Sequence, residues 1–172
     1  LKGPGEERMF LERNMDMYYV NDKEYDSDIF IYDTWQRQDD DMEVIVENFL
    51  KYYGVSSVEE FNRQNYRIST VSFSQGTSVN IALVDYMVEL GFVFDQMIMF
   101  DCNSEQISNN NVNGKTGEEQ LQSILQNNDT IKIQINTSDE NTDTSKVLYK
   151  AGEKLVEEFG EERVSLNVIE GT

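Results

Sequence analysis

Ser74 stands in Ser72-Phe73-Ser74-Gln75-Gly76, where an apolar, β-type run gives way to a helical pattern. A strand that turns sharply into a helix at a serine lifts the hydroxyl above the sheet edge, the layout of a nucleophile elbow. The turn needs small residues two positions either side of the serine, and Ser72 and Gly76 meet that need. The helix that starts there aims its amino-terminal N–H groups and positive dipole end at the serine, favouring a developing oxyanion. The N–H of Gln75, directly after the serine, is the natural first oxyanion donor. The plainer alternative is an ordinary strand-to-helix turn capped by Ser74 or Thr77. The chain has no histidine, so acyl-transfer chemistry at Ser74 lacks its usual base.

Asp139 is the second candidate. It follows the run Thr130 to Asn136, just past the carboxyl end of an expected strand, where open α/β sheets gather functional residues. It lies after Ser74 in the chain, as an acid that orients an imidazole does in the serine–acid–histidine order. Capping of the following helix is the competing role. Asp139, Asn141, Asp143 and Ser145 also alternate like the opening of a calcium loop. Thr144 holds the place of the required glycine and Lys150 that of the bidentate glutamate, so no metal site is expected. Gly3-Pro4-Gly5 is a glycine-rich turn that could add a second oxyanion donor. Pro4 has no N–H, which leaves Gly3 or Gly5. Trp35, the single tryptophan, lines either a substrate cleft or the core. The hydroxyls and glycine of Ser72 to Ser78 would equally suit a flavodoxin-like phosphate site.

Alternating strands and helices must position these residues. Strands are expected at Asp28–Asp33, Arg67–Phe73, Gln96–Cys102, Thr130–Asn136 and Arg163–Ile169. Helices are expected at Met42–Tyr53, Thr77–Leu90, Glu118–Gln126 and Thr142–Phe159, from apolar residues at helical spacing. A further helix is favoured at Glu6–Val20, and Asp39-Asp40-Asp41 suits the start of the helix at Met42. The alternation predicts an α/β fold: a mostly parallel central sheet with helices on both faces, within a single domain over residues 1–172.

With 14 basic and 33 acidic residues the net charge is -19. A field of that sign repels nucleic acid and anionic membranes and suits neutral or cationic partners. No apolar run reaches membrane-spanning length, and no signal peptide is visible. The lone Cys102 excludes an internal disulfide and a cysteine-based zinc site.

Several segments together resemble the α/β-hydrolase superfamily, in particular its polyhydroxybutyrate-depolymerase-like and feruloyl-esterase-like branch. Leu1-Lys2-Gly3-Pro4-Gly5 is similar to that branch's Leu-His-Gly-x-Gly turn, with Lys2 for histidine. Ile29 to Trp35, Phe49 to Val55, Arg67 to Gly76 and Asn136 to Asp139 resemble its later segments, and Val168 to Thr172 resembles the stretch before its histidine. The resemblance implies a serine esterase, bacterial and exported, with Ser74 as nucleophile and Asp139 as acid. Gln75 and Gly3 or Gly5 would be the oxyanion donors. It implies a small neutral ester or acylated carbohydrate as substrate and no cofactor. It also implies a hydrolase-like core that is incomplete, with earlier strands before Leu1 and a histidine after Thr172. A non-catalytic module that binds a carbohydrate or a protein is the alternative.

Overall fold

The computed structural model describes residues 42–101, 114–138 and 146–169, all within one compact unit, Gln38–Thr172. Helix α1 (Met42–Tyr52) and the short α2 (Val58–Asn62) precede β1 (Ile68–Phe73). Then follow α3 (Gln75–Glu89), β2 (Phe94–Phe100), α4 (Gly117–Asn127), β3 (Lys132–Ser138), α5 (Lys146–Phe159) and β4 (Val164–Ile169). The four strands form one sheet in the order β1-β2-β3-β4, and every neighbouring pair is parallel. A parallel α/β sheet is therefore what this sequence builds.

A sheet whose strands lie in chain order advances in one direction, and right-handed crossovers then bring successive helices to the same face. Side-chain contacts agree. Asn80 of α3 donates to Ser72 and Thr70 of β1, and Gly152 of α5 lies over Ile135 and Leu166. Ser72, Met99, Ile135 and Leu166 form one register row, so α3 and α5 share a face. At Gly152 a Cβ would come within 2.9 Å of a Leu166 methyl, which explains a glycine in mid-helix despite its cost there. The next row, Phe73, Phe100, Asn136 and Asn167, points to the opposite face, where Phe73 is 55% exposed.

Between helices and sheet lies one apolar core that includes Ile81, Val84, Met97, Leu121, Ile135 and Leu155. At roughly 1.5–3 kcal/mol for each fully buried large aliphatic side chain, this layer is the main force holding the helices to the sheet. An aromatic cluster joins α1 and α2 to it: Phe49, Tyr53, Phe61 and Phe92 pack with ring centroids 5.1–5.8 Å apart.

Helix ends follow local chemistry. Thr116 and Glu119 form a reciprocal capping box at α4, with the Thr116 N–H donating to the Glu119 carboxylate at 2.7 Å. That bond, with the Thr116 hydroxyl, holds the Glu119 pKa below the ordinary carboxylate value. Element α2 was not among the sequence expectations: Val58–Asn62 is too short to show helical periodicity. Strand β2 begins at Phe94 and stops at Phe100, two residues earlier at each end than expected. The expected strand at Asp28–Asp33, the helix at Glu6–Val20 and Cys102 lie outside the described residues.

Candidate functional site

Every strand of the sheet points its carboxyl end to one edge, and Ser74 occupies that edge directly after β1. Its backbone has φ 52° and ψ -127°, a left-handed conformation in which a Cβ is crowded and glycine is the usual occupant. Holding a serine there costs on the order of 1–3 kcal/mol. The surroundings enforce it. The Ser74 N–H donates to Phe100 O at 2.9 Å, and the Thr77 N–H donates back to Ser74 O at 3.0 Å. The fully buried Thr77 hydroxyl donates to Asp101 O at 3.0 Å, tying the first turn of α3 to the end of β2.

Ser74 is exposed and makes no side-chain capping bond to α3. The capping role open to it in sequence is not the one it takes. Gln75 is the first residue of α3, so its N–H and that of Gly76 belong to the helix's first turn, which has no acceptor within the helix. They emerge beside the serine with the positive end of the helix dipole.

Ser72, in the place of the first small residue, is buried and faces α3. Its hydroxyl accepts from the Asn80 amide at 3.3 Å, and Asn80 also donates to Thr70 Oγ1 at 3.1 Å. A serine is tolerated where the turn asks for a small residue because its one polar atom is satisfied by the helix it packs against.

Asp101 is the residue that sequence reasoning missed. It follows β2 and has φ 38°, again left-handed. Its N–H donates to Asn136 O at 2.9 Å. The only signal available in sequence was an aspartate ending an apolar strand on the edge that carries Ser74.

Of the other expected site residues, Asp139, Gly3, Gly5 and Trp35 lie outside the described residues, as do the calcium-like positions Asn141, Asp143 and Ser145. Among the described residues no group of three or more His, Cys, Asp or Glu side chains could hold a metal ion. Nor is any described helix long and apolar enough to cross a membrane. A shallow depression lined by Glu47, Leu50, Val55 and Glu60 lies among α1, the following turn and α2, and includes none of the Ser74 set.

Away from the edge, α3 and α4 are joined by a charged cluster. Lys115 Nζ contacts Asp85 Oδ2 at 3.1 Å, the Glu89 carboxylate and the Ser123 hydroxyl. Burial disfavours the charged ammonium, but the Glu89 and Asp85 carboxylates outweigh it and hold the Lys115 pKa above its ordinary value. Asp85 is 1% exposed while Glu89 lies at the surface, so this cluster fastens two helices around one buried carboxylate.

Comparison with protein-family models, with curated proteins and with solved structures finds no match.

Proposed function

We propose that this chain carries the nucleophile-bearing part of a serine hydrolase that cleaves carboxylic esters by acyl transfer through Ser74. One observation carries the reading. Ser74 is held in a costly left-handed conformation at a strand-to-helix turn, exposed, with its hydroxyl unused by the helix it begins. Strain of this kind persists where a side chain must be aimed.

In this reading the Ser74 hydroxyl attacks the ester carbonyl, and the carbonyl oxygen becomes the oxyanion. The Gln75 N–H, at the head of α3, donates to that oxygen, with Gly3 or Gly5 as a second donor. Asp139 supplies the acid that orients a base, and Trp35 borders the cleft. The net charge of -19 favours a neutral substrate, a small ester or an acylated carbohydrate. No organic cofactor or metal enters the chemistry.

A second reading, recognition of a carbohydrate or protein without catalysis, is favoured by the absence of histidine from the chain. A fluorophosphonate probe separates the two. Covalent labelling that Ser74→Ala abolishes supports the hydrolase. A chain that resists labelling at high probe concentration, or is labelled equally after Ser74→Ala, removes Ser74 as nucleophile.

A further inference from the structure

The hydrogen bonds at the carboxyl edge continue the strand register beyond the strands themselves. In a parallel ladder a residue's N–H donates to the carbonyl of the residue before its partner. The Ser74 N–H donates to Phe100 O, which makes Asp101 the partner of Ser74, one step beyond the Phe73–Phe100 pair. The Asp101 N–H donates to Asn136 O, which pairs Asp101 in turn with Thr137. Ser74 and Asp101 are therefore neighbours across the β1–β2 pair, about one inter-strand spacing, ~5 Å, apart at the backbone.

Both are left-handed, with φ 52° and 38°. Both are fixed from two sides: Ser74 by Phe100 O and the Thr77 N–H, Asp101 by Asn136 O and the Thr77 hydroxyl. Thr77 therefore clamps both residues at once. Among the described residues, Asp101 is the one carboxylate standing directly at the carboxyl end of a strand. It is half-buried. The chain has no imidazole to accept a serine proton.

We infer that Asp101 is the general base of the Ser74 site. The inference rests on the nucleophile reading above and assigns it a proton acceptor within the same chain. As Ser74 Oγ bonds to the ester carbonyl carbon, its proton passes to an Asp101 carboxylate oxygen, and the carbonyl electron pair moves onto oxygen. The tetrahedral adduct collapses, the bond to the alcohol oxygen breaks, and the proton on Asp101 leaves with the alcohol. Water then attacks the acyl-serine, giving its proton to Asp101. Collapse returns that proton to Ser74 and releases the carboxylic acid. Nothing is oxidised or reduced. A carboxylate has two oxygens, so one can keep a hydrogen-bond partner while the other receives the serine proton.

A carboxylate base has a pH signature that an imidazole does not share. Among the described residues, the ionisable groups of the neighbouring elements lie away from the carboxyl edge. Strand β1 has none, Lys132 lies at the far end of β3, and the first ionisable residue of α3 is Asp85, well up the helix. With a carboxylate as the base, hydrolysis of p-nitrophenyl acetate falls through one inflection on the acid side and shows none in the imidazole range, about 6.5.

The experiment compares the unsubstituted chain, Ser74→Ala, Asp101→Asn and Asp101→Gly from pH 3.5 to 8. Glycine suits a residue at φ 38°, so Asp101→Gly keeps the fold even if Asp101→Asn does not. The expected result is a loss of about 100-fold or more in both Asp101 variants, the scale of general-base catalysis. Added formate should restore part of the activity of Asp101→Gly. Activity of both variants within threefold of the unsubstituted chain, with the inflection intact, overturns Asp101 as base while Ser74→Ala remains inactive and the nucleophile stands. Activity that survives Ser74→Ala instead overturns the nucleophile reading and the base with it. An unsubstituted chain inert at every pH also overturns Asp101 as base, and fluorophosphonate labelling then judges Ser74 separately.

Discussion

The two edges of the one sheet solve the same geometric problem in opposite ways. At the amino edge, where helices turn back into strands, the left-handed positions that stop α3 and α5 are Gly91 (φ 95°) and Gly160 (φ 85°), and the one before β1 is Asn65 (φ 58°), a residue type that tolerates this region. Glycine takes these angles with no Cβ to crowd. At the carboxyl edge, the left-handed positions after β1 and β2 are Ser74 and Asp101, both of which carry a Cβ. Among the described residues, the amino edge is closely packed. Phe61 and Phe92 are 1% and 2% exposed, and the Arg163 guanidinium donates to the carbonyls of Leu125, Asn128 and Ile131. One edge is built for stability. The other holds two polar side chains in costly conformations, and the rest of the fold must be stable enough to keep them there.

On that division, the largest losses of stability come from the amino edge. Phe61 touches Phe49, Tyr53, Tyr66 and Phe92 by ring contacts, so Phe61→Ala leaves a cavity lined by α1 and by the connections that follow α1, α2 and α3. The expected cost is about 4 kcal/mol, read as a drop in the urea midpoint. A loss below about 1 kcal/mol would show that the aromatic cluster does not hold α1 and α2 in place.

The charged cluster between α3 and α4 comes next. Lys115→Met strands the buried Asp85 carboxylate, at a cost of about 3 kcal/mol near neutral pH. Because the Lys115 pKa is raised on folding, its ammonium stabilises the fold fully below the ordinary lysine value. That contribution fades as pH climbs through the higher folded value. Thermal melts should therefore converge for the two proteins on the alkaline side of 10.5. A difference that persists unchanged there would mean that Lys115 acts by packing rather than by charge.

The periodic parts of this chain were legible in its sequence. Helices α1, α3 and α4 and strands β1 and β4 fall within two residues of expectation, because apolar spacing is the same quantity that burial selects. The strand-to-helix turn at Ser74 was legible for a related reason: small residues at positions 72 and 76 are a steric requirement written in residue types. Asp101 was not legible. Its importance lies in register, and register depends on which strand becomes β1's neighbour, a fact of topology that no local pattern around Asp101 contains. Element α2 escaped notice because five residues cannot display a period of 3.6. The Ser72–Asn80 bond was hidden similarly, since it joins a strand to the helix after it only once the turn has closed.

The smallest effects test the contrast between the edges most directly, because they isolate backbone conformation from packing. A Cβ built on Gly91 meets only a Val58 methyl at 3.9 Å, ordinary contact, so Gly91→Ala probes the left-handed φ alone. Ala at φ 95° should lose about 1 kcal/mol. Ser74→Gly is its mirror image. It removes a Cβ from φ 52° and ψ -127°, relieving strain on the order of 1–3 kcal/mol, while the more flexible unfolded chain offsets up to about 1 kcal/mol. The net expectation is a gain of about 1 kcal/mol in unfolding free energy, together with loss of fluorophosphonate labelling. Stability and reactivity would then move in opposite directions at one residue, as they must if the serine is held in place for its hydroxyl. Should Ser74→Gly instead destabilise the chain, the serine side chain contributes to folding, and the strain at the carboxyl edge loses its functional meaning.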